Sequence, residues 1–208
     1  AGGFYTETVG EDMELVVRLH RHFREKDQPY RVGFVPDPVA WTEAPESVRP
    51  LGRQRDRWQR GLIESLGRHV TMLFNPGYGR IGMFAFPYYF FLEMVGPVIE
   101  AGGYAFFILA VLGGFVSFPF IAGFLALAVL FGVALSVTAV GLEELTFRRY
   151  PRKRDLLHLY YLAIVENFGY RQLSTFWRFR GVVSKLRNVR SWGEMERKGF
   201  GAGEAGRG

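Results

Sequence analysis

The sequence predicts a polar segment of mixed structure leading into an α-helical membrane region, and three observations carry that prediction. The run PFIAGFLALAVLFGVALSVTAVGL, residues 119–142, contains no charged side chain, and a bilayer crossing needs about 20 apolar residues. Basic residues crowd directly behind the apolar region, at Arg148, Arg149, Arg152, Lys153 and Arg154, where the positive-inside rule and anionic lipid favour them. Ahead of it, residues 1 to about 80 are polar and carry capped, amphipathic helical patterns.

The chain has 208 residues, 49% hydrophobic and 16% aromatic, with no cysteine. Disulfides and thiolate metal sites are therefore excluded. Its opening, Ala1-Gly2-Gly3, has no initiator Met and no signal-peptide pattern, and predicts a processed chain or a fragment. The formal charge of +6 raises a nucleic-acid partner, but no recognition motif accompanies it. A second basic set, Arg178, Lys185, Arg187, Arg190 and Lys198, fits contact with a lipid surface.

Taken in order, Thr8-Val9-Gly10-Glu11 reads as a capping box, with Thr8 at the N-cap and Glu11 three residues on. A helix follows through MELVVRLHRHF, with Leu15, Leu19 and Phe23 on one stripe, and Gln28-Pro29 ends it. Tyr30 to Val35 is β-like and Pro36-Asp37-Pro38 closes it. Thr42 to Pro50 reads as a loop. A second helix starts between Val48 and Gln54 and carries Trp58, Leu62, Leu66, Val70 and Leu73 on a stripe that can lie along a membrane surface.

The apolar zone, 81–145, holds two spans, at roughly 84–113 and 117–142, with a break near Ser117-Phe118-Pro119. Glu93 and Glu100 lie within the first, so both should face protein, water or the interface. A buried hairpin in a large soluble protein is the alternative. Residues 146–198 form a basic, amphipathic zone, and within it 156–178 reads either as an interfacial helix or as a third span. The Gly-rich tail 199–208 is expected to be disordered.

Two constellations could carry chemistry. Glu11-Asp12 places carboxylates in a first helical turn, where the helix dipole favours an anion. A fixed carboxylate can also accept a proton from an attacking hydroxyl. Local sequence alone explains the pair equally as a stabilised helix start. Gln54, Arg57 and Trp58, at i, i+3 and i+4, share one helix face. An indole can stack on a sugar ring while amide and guanidinium bind hydroxyls or phosphate; an amphipathic helix with an interfacial Trp explains the same residues. His20 and His22, two apart on a helix, make a poor metal pair.

Together, AGGFYTETVGEDMELVVRLHR, VPDPVAWTEAPES and QRDRWQRG followed by apolar spans resemble the C-terminal part of processive family 2 glycosyltransferases, to which cellulose, chitin, hyaluronan and poly-N-acetylglucosamine synthases belong. The resemblance covers about the first 80 residues. It implies an α/β nucleotide-sugar glycosyltransferase domain, of which this chain supplies only the C-terminal, acceptor-side end, followed by an α-helical membrane region. It implies Asp12 as general base with Glu11 in support, and Gln54, Arg57 and Trp58 at the acceptor and donor-pyrophosphate site. It also implies a UDP-sugar donor, a β-linked polysaccharide acceptor, a divalent metal (magnesium) and a place in the bacterial inner or plasma membrane, with the catalytic part cytoplasmic. The family's metal motif, Asp-x-Asp, occurs nowhere in the chain. The metal ligands are thus expected outside it, and the chain is expected to be inactive alone. The rival readings are a non-processive transferase acting on a lipid-linked acceptor, a non-catalytic scaffold of polysaccharide export, and a small permease.

Overall fold

The structure, a computed structural model, describes residues 2–33, 35, 43–147 and 150–189. Those residues fall into two compact units, one of residues up to Gly96 together with those from Trp177 onward, the other Pro97–Phe176. Six helices organise them: α1 (Glu11–Glu25), α2 (Val48–Arg68), α3 (Ile81–Leu112), α4 (Phe118–Phe147), α5 (Lys153–Val165) and α6 (Tyr170–Leu186).

In the first unit, α1 begins one residue after Gly10, whose carbonyl accepts the Glu14 N–H at 3.0 Å. The predicted capping box does not form. Thr8 is buried and its hydroxyl donates to Glu64 on α2 at 2.7 Å, so it is not the cap. The C-terminus closes in a Schellman arrangement: Asp27 takes the left-handed conformation (φ 50), its N–H reaches Arg24 O, and Gln28 N–H reaches Phe23 O. Tyr30 then folds back, stacking on Phe23 at 5.2 Å and bonding His20 Nδ1 at 2.8 Å.

The β-like segment is not a strand. Tyr30–Gly33 and Val35 have no regular structure, and no strand occurs among the described residues. An extended segment needs a neighbour for its backbone hydrogen bonds, and the described residues supply none.

The core of this unit is Leu62, Leu66, Met72, Tyr78 and Phe86, flanked by Val17, Leu73, Ile81, Phe90 and Met94. Full burial of such side chains contributes about 1.5–3 kcal/mol each. The α2 stripe is therefore largely used inside the protein. Leu62 and Leu66 are buried, and of the predicted surface-facing set Trp58 and Val70 remain exposed.

Both predicted spans are helices, α3 and α4, long and apolar enough to cross a membrane, with only 6% of the apolar window of each buried in the protein. Gly113–Ser117 separates them. Helix α3 widens to π-helical turns at Ile81–Ala85 and Tyr89–Val95, beside Pro87 and Pro97. Pro97 has no N–H to offer the carbonyl four residues back. That carbonyl, of Glu93, instead receives the Arg178 guanidinium and, at 3.4 Å, the Gln59 amide. The Glu93 carboxylate pairs with Arg178 at 2.8 Å. Within the second unit Glu100 accepts from Tyr104 at 2.6 Å and lies 3.9 Å from Arg171. Both acidic residues thus face polar protein partners, as predicted.

Residues 156–178 form neither a single interfacial helix nor a continuous third span. The periodic segment breaks at Glu166–Gly169 into α5 and α6. Helix α5, with 13 residues, is about 20 Å long, short of the roughly 30 Å hydrocarbon core. The break turns on Gly169 (φ 106) and is held by Asn167 Nδ2 donating to Ala163 O at 2.8 Å and by Ser136 of α4 donating to Glu166 at 2.6 Å. The tail 199–208 lies outside the described residues.

Candidate functional site

The candidate site is organised by α2, whose two sides carry different work. At about 100° per residue, Gln54, Arg57, Trp58 and Gly61 share one arc of roughly 100°. Gly52, Asp56 and Gln59 lie opposite.

The back of α2 is fastened to the last turns of α6. Gly52 has no side chain because the Trp177 indole lies there, and a Cβ would come within 2.8 Å of its nitrogen. A Cβ on Gly181 would stand 2.6 Å from the Asp56 carbonyl. Around these close approaches the buried Asp56 carboxylate receives Arg60 and Arg180, each at 3.0 Å, and Ser184 at 3.2 Å. Gln59, 2% exposed, donates to Met94 O at 2.9 Å and accepts from Arg178 at 3.0 Å. Of the basic side chains predicted to face lipid, Arg178 and Lys185 are paired instead with Glu93 and Glu64, and Arg180 between them pairs with Asp56. Asn188, in the left-handed conformation (φ 56), ends the helix as Asp27 ends α1.

The front of α2 meets the start of α1. Gly10 and Gly61 pack backbone to backbone, so that a Cβ on either would come 2.9 Å from the other's Cα. Gly61 is one turn beyond Arg57 and Trp58 on the same arc. The acidic start, Glu11-Asp12, therefore begins one residue from a glycine seated on the Gln54–Arg57–Trp58 face. Asp12 is exposed, and its Oδ1 accepts the Met13 N–H at 2.8 Å. Glu11 is half-buried. Gln54 and Arg57 are half-buried, and Trp58 is 49% exposed with the Arg55 guanidinium 4.9 Å from its ring centre.

The α1–α2 contact is fixed a second time by Glu14 and His69, both buried, with His69 Nε2 3.1 Å from Glu14 Oε1 and Nδ1 3.4 Å from Arg21. The neutral imidazole with its proton on Nε2 satisfies both partners: it donates to Glu14 and accepts from Arg21. Burial lowers the His69 pKa, Glu14 pulls against that, and Arg21 and Arg68 add to the lowering. A histidine lowered from its ordinary value near 6.5 binds its proton more readily in the unfolded chain. Its stabilising effect is complete above about pH 6.5 and is lost as pH falls toward the folded value. Melting temperature is expected to fall between about pH 7.5 and pH 5.5, with a shallower slope in His69→Gln, as thermal unfolding in detergent would measure.

To the predicted Glu11, Asp12, Gln54, Arg57 and Trp58 the structure adds Gly10 and Gly61, whose backbones meet, and Glu64, which holds Thr8 and Val9 on α2. The glycine of QRDRWQRG was the available signal. Among the described residues no group of three or more His, Asp or Glu could hold a metal ion. The described residues do not supply a site for the divalent metal that the resemblance implies.

The model of the family described as Glycosyl transferase family group 2 matches residues 1–136, and the chain belongs to that family. It is similar to chitin synthase 8 of Mycosarcoma maydis, 31% identical over 91 residues, covering 44% of this chain and 4% of the relative. It is also similar to the probable glycosyltransferase YdaM of Bacillus subtilis, 28% identical over 101 residues, covering 48% and 23%. Chitin synthase 4 of Cryptococcus neoformans is 30% identical over 92 residues, covering 44% and 7%. The matched region spans less than a quarter of the length of each of these relatives. No solved structure matches.

Proposed function

We propose that the whole protein of which residues 1–208 are the acceptor-side part transfers a hexose or N-acetylhexosamine from a UDP-sugar to a growing β-linked polysaccharide. The observation that supports this most is the Gly10–Gly61 contact, which sets the residue before Glu11-Asp12 against the glycine one turn beyond Arg57 and Trp58 on α2. Asp12 takes the proton of the acceptor hydroxyl while that oxygen forms a bond to the sugar's anomeric carbon. The bond from that carbon to the diphosphate breaks, UDP leaves, and the anomeric configuration inverts. Trp58 stacks on the terminal sugar, and Gln54 and Arg57 bind hydroxyls or the pyrophosphate. The family's divalent metal, magnesium, would be held by residues outside 1–208, and residues 1–208 alone would then be inactive.

Helices α3 and α4 cross the bilayer, with the first unit on the cytoplasmic side where nucleotide sugars are made. Their almost wholly unburied apolar windows support lipid contact over a soluble hairpin.

The test uses membranes containing the whole protein, a panel of labelled UDP-sugars and magnesium. One donor is expected to give high-molecular-weight polymer. Turnover that stops at one or two added sugars on a lipid-linked acceptor would instead establish the non-processive transferase, and no turnover with any donor would favour the export scaffold.

A further inference from the structure

Glu64 was not among the residues that the motifs single out, yet it is where three separate segments meet. It lies two turns beyond Arg57 on α2. One carboxylate oxygen, Oε2, accepts the Thr8 hydroxyl at 2.7 Å and the Val9 N–H at 3.1 Å. The other, Oε1, accepts the Lys185 ammonium of α6 at 2.8 Å. Thr8 is 3% exposed and passes the connection on, because its hydroxyl accepts the Gly10 N–H at 3.3 Å. Thr8, Val9 and Gly10 are the three residues that lead into Glu11-Asp12.

This arrangement is costly unless it is used. A half-buried carboxylate is partly stripped of water and needs donors in its place, and Glu64 has three. Burial pushes its pKa up, but Lys185, Thr8 and Val9 outweigh that and hold it below the usual carboxylate range. Thr8 has the residue type to cap α1 itself, and α1 starts with no side-chain cap. That cap is forgone, and the turn points at α2 instead.

We propose that Glu64 is a positioning residue that tethers the Thr8–Gly10 turn to α2, and that Lys185 fixes Glu64, so that the helix after the apolar pair holds the acidic start in register with the Gln54–Arg57–Trp58 face. This rests on the transferase reading above. Glu64 reaches no reacting atom and acts through Asp12's placement. A displacement of about 1 Å at a reacting group can lower a rate by about 100-fold, so the tether should act on turnover more than on donor binding.

The experiment has two readouts in the whole protein, so that loss of the tether and loss of the functional reading can be told apart. The first is amide hydrogen exchange, which needs no activity. Val9 and Gly10 amides should be protected in wild type and exchange at least about 10-fold faster in Glu64→Ala, with α2 amides unchanged. Equal protection in Glu64→Ala and wild type would overturn the tether whatever the enzyme does. The second is turnover. Glu64→Ala should lower kcat by about 10- to 100-fold with donor KM within about 2-fold. Glu64→Gln, whose amide oxygen can still accept from Thr8 and Val9, should recover most of that loss. Lys185→Met should lower kcat by about 3-fold in wild type and have no further effect in Glu64→Ala, as one connected unit requires. Full kcat in Glu64→Ala, or multiplying effects of the two substitutions, would overturn the positioning role. If wild type turns over no donor, the transferase reading fails and the exchange result stands on its own.

Discussion

Asp12→Asn is expected to lower polymer synthesis by about 100- to 10,000-fold, the range that loss of a positioned general base produces, while donor KM changes little. The substitution leaves the helix start nearly intact. Asn keeps an oxygen that can accept the Met13 N–H, which Asp12 Oδ1 now holds at 2.8 Å. Only the negative charge at the start of α1 is lost, beside Glu11 and Glu14 in the same turn, and such a charge contributes about 0.3–1 kcal/mol. A carboxylate present merely to stabilise the helix would thus show a small fall in melting temperature and an ordinary rate. A carboxylate that accepts the acceptor's proton would show the reverse. Glu11→Gln, which changes the neighbouring charge, should cost far less rate than Asp12→Asn. Measuring kcat, donor KM and thermal unfolding on the same three preparations separates the readings, and equal activity of Asp12→Asn and wild type would remove Asp12 from the mechanism.

The elements that the sequence displayed clearly were those fixed by local physics. The uncharged run 119–142 has no alternative to a long apolar helix, and the observed helix, Phe118–Phe147, contains it, starting one residue after the predicted span 117–142 and ending five residues beyond it. The common face of Gln54, Arg57 and Trp58 follows from helix geometry once α2 is a helix. What stayed hidden was decided by partners far along the chain. Thr8 has the composition of an N-cap, and nothing local reveals a carboxylate 56 residues away that outcompetes the helix for its hydroxyl. Arg178 and Lys185 look like part of a lipid-facing basic set until Glu93 and Glu64 are seen to pair with them. The turn at Glu166–Gly169 was similarly obscured, because the periodicity of 156–178 continues through it while Asn167 and Glu166 make the contacts that hold it. The strand predicted at 30–35 is absent from Tyr30–Gly33 and Val35 for the complementary reason, since β-propensity describes a residue's fit to a sheet and no strand occurs among the described residues.

Gly61→Ala should separate the contact that builds the site from the helix that carries it. In an exposed helix interior Ala stabilises relative to Gly by about 1 kcal/mol, so the default expectation for a glycine in α2 is a gain. At Gly61 the added Cβ would stand 2.9 Å from Gly10 Cα, 3.0 Å from Gly10 N and 3.4 Å from the Val9 carbonyl carbon. All three are backbone atoms, so no side chain can rotate away, and α1 must move off α2. Overpacking of this kind costs about 1–3 kcal/mol, enough to cancel or reverse the propensity gain. Gly67 on the same helix provides the control, because nothing lies within 4 Å of a Cβ there. Gly67→Ala is expected to raise or preserve the melting temperature with unchanged turnover. Gly61→Ala is expected to lower the melting temperature and to cut kcat by about 10- to 100-fold, because the displaced segment carries Asp12 away from the Arg57–Trp58 face and orientation losses of that size follow small displacements. If both variants behave like Gly67→Ala, the glycine contact is incidental. If Gly61→Ala loses stability but retains its rate, the contact serves the fold and Asp12 acts independently of the face that α2 presents.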